Sequence, residues 1–274
     1  KDMFVSLITF DKKDSSCHKI SIIKSNLNIN KLNFEIFFEF DECVIIKETP
    51  SSQNGGRMVD YKDNKLLFTI GDFSTFVRAQ DKGSIYGKII EIDKDNPKNF
   101  NFISLGHRNQ QGLYYDSDKN KIYSAEHGPE GGDEFNQIIP GGNYGWPVAS
   151  YGKIGDENLR KINPDMIKLL NSHEKNGFVE PIKYFETSIG ISETIKNYFE
   201  NQNDYNSYFV TSMKNKEDGH SIYEIKFDKN NKLISTDRIL IDDRIRDILY
   251  IKEKDYYLLM LESSYSIGVL REIN

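Results

Sequence analysis

The chain has 274 residues, with 36 Lys and Arg against 42 Asp and Glu and a formal charge of -6. That mild acidity excludes the basic footprint of a nucleic-acid or anionic-membrane binder, and no apolar run approaches the roughly 20 residues that span a bilayer. The length suits one large domain or two small ones with a sizeable core.

The opening KDMFVSLITF has one short apolar run with no small-residue cleavage site after it, and reads as a strand rather than a signal peptide. The absence of a starting Met fits a mature form or a fragment. Strand candidates follow in order: HKISIIK, FEIFFEF, KLLFTIG, GKIIEID, KIYSAE, DYNSYFVTSM, HSIYEIKFD, DRILIDD, IRDILYI and DYYLLML. They are rich in Ile, Tyr, Phe and Val, and many alternate as half-buried strands do. Between strands recur the polar tight turns KDNK, DSDKNK and DKNNK. Cys17 and Cys43 lack CxxC spacing and read as free, structurally minor thiols, with pairing the alternative.

Many short antiparallel strands without interleaved helices predict an all-β sandwich, barrel or propeller. At about 40–50 residues per four-stranded blade, the length supplies five to six blades of a propeller. The segment 155–176 breaks the pattern, with a helical turn or two expected at PDMIKLL, and reads as a loop insertion in a single domain spanning 1–274. The segment EHGPEGGDEFNQIIPGGNYGWP, 126–147, has no regular apolar period and holds the one tryptophan, Trp146.

Three motifs stand in series: GHRNQQGL, EHGPEGGDE and GGNYGWP. Together they resemble the soluble quinoprotein sugar dehydrogenases, the family of pyrroloquinoline quinone (PQQ)-dependent glucose, sorbosone and aldose dehydrogenases. GGRMVDYKDNKLLFTIGD, YGKIIEID, SMKNKEDGHSIYEI and DRIRDILY extend the resemblance from about Gly55 to the end. It implies a six-bladed β-propeller, here lacking part or all of the first blade. The strand edges of so open a ring predict poor solubility or a homodimer.

The resemblance also implies a site. Arg108, Asn109, Gln111, Lys214, Arg244 and Arg246 stand where family members hold PQQ. The chemistry of these residues agrees: a guanidinium fork meets a carboxylate bidentately, and arginines two apart on a strand face the same way. The Gly128 and Pro129 carbonyls are implied as ligands of the calcium that bridges to PQQ. Glu134 and the Tyr144 carbonyl, with Glu180, are implied for a second, structural calcium. Calcium takes six to eight oxygens, often from irregular loops. Trp146 reads as a packing anchor, and Asp133 either caps or ligates. The implied reaction oxidises an aldose to its lactone and passes electrons to an acceptor, in the periplasm or outside the cell.

The pattern departs from the family at the catalytic base. The family has a His four residues before the Arg of GGR; here that position is Gln53. A glutamine amide has no useful pKa near neutrality and hydrogen-bonds a hydroxyl without deprotonating it. Phe185 also stands where a tryptophan is common. His107 reads as structural, His127 as the nearest stand-in for the base, and His18, His173 and His220 as surface or turn residues. A non-catalytic calcium-binding propeller that binds a ligand or protein is the alternative. A calcium-dependent lactonase ranks last, because no converging Glu, Asn and Asp set is evident.

Overall fold

In the computed structural model, the residues described are 2–28, 30–45, 52–153, 173–200, 204–214 and 218–272. The helical turn expected at PDMIKLL lies outside them.

The chain is all-β, as its alternation predicts. The first sheet holds β1 (Asp2–Phe10), β2 (Cys17–Asn26), β3 (Glu35–Glu39) and β4 (Val44–Ile45). The second holds β5 (Gly55–Tyr61), β6 (Lys65–Ile70), β7 (Lys88–Asp93) and β8 (Phe100–Leu105). Next come β9 (Gln110–Asp116), β10 (Lys121–Glu126) and β11 (Asp133–Ile138), then β12 (Gly142–Asn143) and β13 (Lys183–Phe185). β13 completes the third sheet, while β12 crosses back to pair in parallel with β8. The fourth sheet is β14 (Ile191–Lys196), β15 (Asn206–Ser212), β16 (Ser221–Phe227) and β17 (Leu233–Leu240). The fifth is β18 (Ile245–Ile251), β19 (Tyr256–Leu261) and β20 (Ser266–Leu270).

Every expected strand is present. β5, β8, β9, β11, β14 and β20 and the short β4, β12 and β13 were not anticipated, and β11 falls inside the stretch that read as irregular. Its residues DEFNQI carry polar side chains to both faces and are nearly all buried. Period-2 alternation marks a sheet with one wet face, so a strand buried on both sides lacks the signal. The polar turns form as expected. Asp63 and Asn64 take positive φ between β5 and β6, and the Asp228 carboxylate accepts the backbone N–H groups of Asn230 and Lys232.

Apolar side chains are sandwiched between successive sheets, the stacking of propeller blades. Ile22 and Phe38 meet Phe68 and Ile90; Leu67 and Ile89 meet Leu113 and Ile122. Tyr123 and Phe135 meet Tyr208 and Phe227, with Tyr123 and Tyr208 rings 4.3 Å apart. Phe209 and Ile222 meet Ile248 and Tyr257. Such aromatic pairs add about 0.5–1.5 kcal/mol beyond area burial. The last sheet leaves Leu249, Met260, Ile267 and Val269 exposed on its other side.

The cysteines are not free thiols. Cys17 at the start of β2 and Cys43 just before β4 form a disulfide. The pairing of β2 with β4, Cys17 against Ile45, brings them together; no spacing rule in the sequence could register it.

Candidate functional site

The inner strands β5, β9, β14 and β18 all begin at one end of the axis. Gly55 N–H donates to Asn109 Oδ1 (3.1 Å), and Ser192 Oγ donates to the Ile245 carbonyl (2.5 Å). The loops 71–74, 106–109, 127–132 and 186–190 therefore collect at one mouth.

Arg108 is the centre of this mouth. Its Nη1 donates to the carbonyls of His127 (3.2 Å) and Gly128 (2.7 Å), and its guanidinium lies 5.4 Å from the Trp146 ring centre. Its Nε is buried and has no protein partner. An unanswered buried donor is costly; this one fits an acceptor brought by a ligand. Asp72 and Glu126 draw proton affinity upward, but burial outweighs them and lowers the Arg108 pKa. Below it, Glu126 accepts the Arg108 backbone N–H and binds His107 Nδ1 (2.8 Å), whose Nε2 meets Ser104 Oγ (2.8 Å). His107 is thus fully buried in a polar chain and stacks on Tyr144, a structural role.

Asn109 and Gln111 are joined side chain to side chain (2.9 Å). Gln53 lies beside them through its backbone. Its carbonyl accepts Phe73 N–H (3.1 Å) while Asp72 N–H donates to the Arg108 carbonyl (2.8 Å). A Cβ on Gly71 would stand 1.8 Å from the Gln53 carbonyl oxygen, so only glycine lets the two loops touch. Asp72 is wholly buried and accepts Trp146 Nε1–H (2.6 Å); burial pushes its pKa up to about 7 against the opposing pull of Arg108.

The glycine-rich loop is held by Asp133. Its carboxylate accepts N–H groups from Gly128 (3.1 Å), Gly190 (2.8 Å) and Ile191 (3.1 Å), plus Ser188 Oγ (3.0 Å). Asp133 thus caps the turn through backbone N–H groups on both sides of it. Gly131 and Gly132 take positive φ (76° and 69°) to complete the turn. A cavity of about 20 Å³ lies within, lined by Glu126, Gly128, Pro129, Glu134 and Tyr144 among others. That is room for one water or ion. Burial and the neighbouring Glu126 push Glu134 up to about 8. Two buried carboxylates and loop carbonyls around such a space form a hard-oxygen set suited to calcium. Among the described residues, no three acidic, Cys or His side chains converge to hold a metal by themselves. Glu180 is exposed and accepts Tyr151 Oη–H (2.5 Å), outside this cavity's lining.

His173 is a turn residue but not a surface one. It is buried, stacks on Tyr151 at 5.0 Å, and places Nε2 3.9 Å from Glu134 Oε1. His18 and His220 are half-buried. His127 is half-buried with Nδ1 3.8 Å from Asp133 Oδ1. Burial lowers its pKa, with Arg108 and Arg246 also lowering it. Trp146 is a packing anchor, edge-on to Phe76 (5.5 Å). Phe185 is buried against Tyr223.

Arg244 and Arg246 face the same way and meet on Glu262 rather than on a core anion. Arg244 Nε donates to Oε2 (3.0 Å), and Arg246 Nη2 to both oxygens (3.2 and 3.1 Å). Arg244 Nη1 reaches the Met213 carbonyl (2.9 Å), and Lys214 N–H donates to Ile189 O (3.0 Å). Met213 N–H in turn donates to Gly190 O. Asp133 therefore links the glycine loop to the arginine side of the mouth through Gly190. Sequence reading missed Asp72, Glu262 and the Arg57–Glu193–Asp247 set. Their signal is charge that is buried, in Asp72 and Glu193, or paired with residues distant in sequence, which one sequence does not display.

The sequence matches the Glucose / Sorbosone dehydrogenase family over residues 6–269. The chain is 30% identical over 231 residues to the aldose sugar dehydrogenase YliI of Escherichia coli, covering 77% of this chain and 57% of that protein. It spans about 60% or less of the length of the curated relatives it matches. A glucose dehydrogenase crystal structure shares the fold at TM-score 0.77 and 22% identity, over 100% of this chain and 79% of that one. The PQQ-bound aldose sugar dehydrogenase of Streptomyces coelicolor shares it at TM-score 0.61 and 20% identity, over 91% and 70%. The chain is a β-propeller that belongs to the glucose/sorbosone dehydrogenase family.

Proposed function

We propose that the mouth holds PQQ with calcium and oxidises an aldose to its lactone, slowly, because Gln53 occupies the position of the base. The observation that carries this is Arg108: braced by two loop carbonyls, set over Trp146, and left with a buried Nε that lacks an acceptor. The Streptomyces relative that shares the fold is PQQ-bound, which supports the same cofactor here. Bound PQQ supplies the two-electron sink for the hydride that leaves sugar C1, and an external acceptor later takes those electrons.

Each protein group has a part in this reading. Arg108 offers its free donors to the quinone, and Asn109 and Gln111 add neutral ones. Arg244, Arg246 and Lys214 would meet the cofactor carboxylates. The Gly128 and Pro129 carbonyls would hold the calcium that serves the cofactor, and Glu134 and the Tyr144 carbonyl would hold the structural calcium, the cavity between them having room for one of these ions. Gln53 orients the C1 hydroxyl and leaves its proton to water. By family likeness the compartment is periplasmic or extracellular. No helix among the described residues is long and apolar enough to cross a membrane.

The alternative, a calcium-binding propeller without turnover, is favoured by Gln53 alone. Titration with micromolar PQQ and Ca²⁺, followed by dye reduction over an aldose panel, separates the two. Quinone binding with slow turnover supports the enzyme; binding without turnover supports the alternative; no binding at all removes both the cofactor and the reaction. Replacing Gln53→His should raise kcat by about 10²–10⁴-fold if the missing base limits the rate.

A further inference from the structure

We infer that Glu262 is a positioning residue for an anionic ligand at the mouth. It clamps Arg244 and Arg246 side by side so that their remaining donors point as one unit. The inference rests on the PQQ reading above for the identity of the ligand, and on geometry for the clamp.

Two guanidiniums two residues apart repel each other and, half-exposed, would splay into solvent. Here one carboxylate bridges them. Glu262 takes Nε of Arg244 and a single Nη of Arg246. Arg244 is fixed a second time by the Met213 carbonyl on Nη1. Glu262 itself is fixed from behind, because its N–H donates to the Arg244 carbonyl (2.8 Å). A guanidinium has five donors in a rigid fork. The clamp consumes one edge of each and leaves the Nη2 of Arg244 and the Nε and Nη1 of Arg246 for a further acceptor. The three side chains are 38–43% exposed, so a ligand can reach them. An isolated pair so exposed contributes little to stability. Its effect is to remove rotamer freedom that a ligand would otherwise have to freeze.

This reading gives a sign opposite to simple charge counting. Deleting Glu262 leaves the mouth one charge more positive, which should favour an anion through the field. If the clamp matters more, deletion weakens anion binding.

The test is Glu262→Ala and Glu262→Asp in the full chain, with PQQ affinity measured by absorbance or fluorescence titration. Arginine Nε–Hε NMR signals are recorded without ligand. We expect E262A to bind PQQ at least fivefold more weakly, with unfolding temperature unchanged, and to lose the slow-exchanging Arg244 Nε–Hε signal. E262D should recover part of both. Equal or tighter binding by E262A overturns the inference. If E262A is unstable, Glu262→Gln, which keeps one acceptor, replaces it with the same criteria. If the parent chain does not bind PQQ, the cofactor reading fails, while the NMR comparison still decides the clamp.

Discussion

Arg57 Nε lies 2.8 Å from Glu193 Oε2, joining β5 of the second sheet to β14 of the fourth across the axis. The Arg57 Nη1 also meets Asp247 Oδ2 of the fifth sheet at 2.9 Å, and its Nε reaches the Gln111 carbonyl of the third at 3.0 Å. One side chain thus ties four sheets beneath the mouth. Burial opposes the charge on both partners. In Arg57 the two carboxylates outweigh it and raise the pKa; in Glu193 burial outweighs the arginine and pushes the carboxyl up to about 7. The arginine's direction describes the pair, because Glu193 also accepts the Leu113 and Thr194 N–H groups (both 2.9 Å), as an ionised carboxylate does.

Arg57→Ala should therefore be far more harmful than an exposed arginine deletion. It leaves Glu193 buried and uncompensated, a loss on the order of 3–5 kcal/mol. Urea unfolding at pH 7.5 measures it. R57A combined with Glu193→Gln should recover part of the loss, and no recovery would show that packing rather than charge sets the cost.

Asp72 predicts a pH effect. Its pKa is about 7 when folded against an ordinary 3.8, because burial disfavours the carboxylate. Between those values the folded state holds a proton that the unfolded state has lost. Stability from this group is present at low pH and falls as pH rises from about 4 to about 7. Asp72→Asn removes that dependence. The stability of the parent relative to D72N should fall across that window, by at most about 1.4 kcal/mol per pH unit, and level off above pH 7. Denaturant midpoints for both proteins at four pH values test this. A gap that widens in the parent's favour with rising pH contradicts it.

Strands dense in Ile, Leu, Tyr, Phe and Val were legible whether half-wet or buried on both faces: IRDILYI and HSIYEIKFD are partly exposed, while KIYSAE, KLLFTIG and DYNSYFVTSM are almost wholly buried. A strand written mostly in polar letters was not. DEFNQI spends Asp133 on capping, Glu134 on lining the small cavity and Asn136 on a hydrogen bond to Glu134, so its polar letters disguise a central strand. The candidate site residues stand out as motifs, because turn glycines and Arg108 sit close together in sequence. Glu262 lies 16 residues beyond Arg246, and Asp72 lies 36 before Arg108. Their partnerships arise from sheet register and loop contact, which no local spacing encodes. The disulfide was misread for the same reason.

That disulfide supports the first sheet. It closes a 26-residue separation between Cys17 and Cys43. Loop-closure entropy assigns such a link about 3 kcal/mol. Arg78 and Tyr86 of the second sheet's loops bind the backbone on either side of it, at the Cys43 and His18 carbonyls. Cys17→Ser with Cys43→Ser should therefore lower stability by about that amount, and raise amide exchange first in β2 and β3. Hydrogen exchange by mass spectrometry reads this. Uniform exchange increases over all five sheets would mean that the first sheet does not open separately.

Calcium removal provides the last prediction. The space between Glu126, Glu134, Gly128 and Tyr144 admits one ion, and the carboxylate of Glu134 is buried with one weak side-chain donor, Asn136 Nδ2 at 3.2 Å. A cation there would displace the proton that burial keeps on Glu134 near neutral pH, and binding to the folded state alone adds stability by mass action. At a hundredfold excess over Kd the gain is about 2.7 kcal/mol, or about 5 °C or more in unfolding temperature for a chain of this size. EDTA should reverse that gain, and Mg²⁺ should not replace Ca²⁺, because its tight octahedral shell suits carbonyl-rich loops poorly. Glu134→Ala should abolish the calcium response while the unliganded protein stays folded, since it removes a buried polar carboxyl that has one weak side-chain donor. A calcium shift that persists in E134A would place the stabilising ion elsewhere.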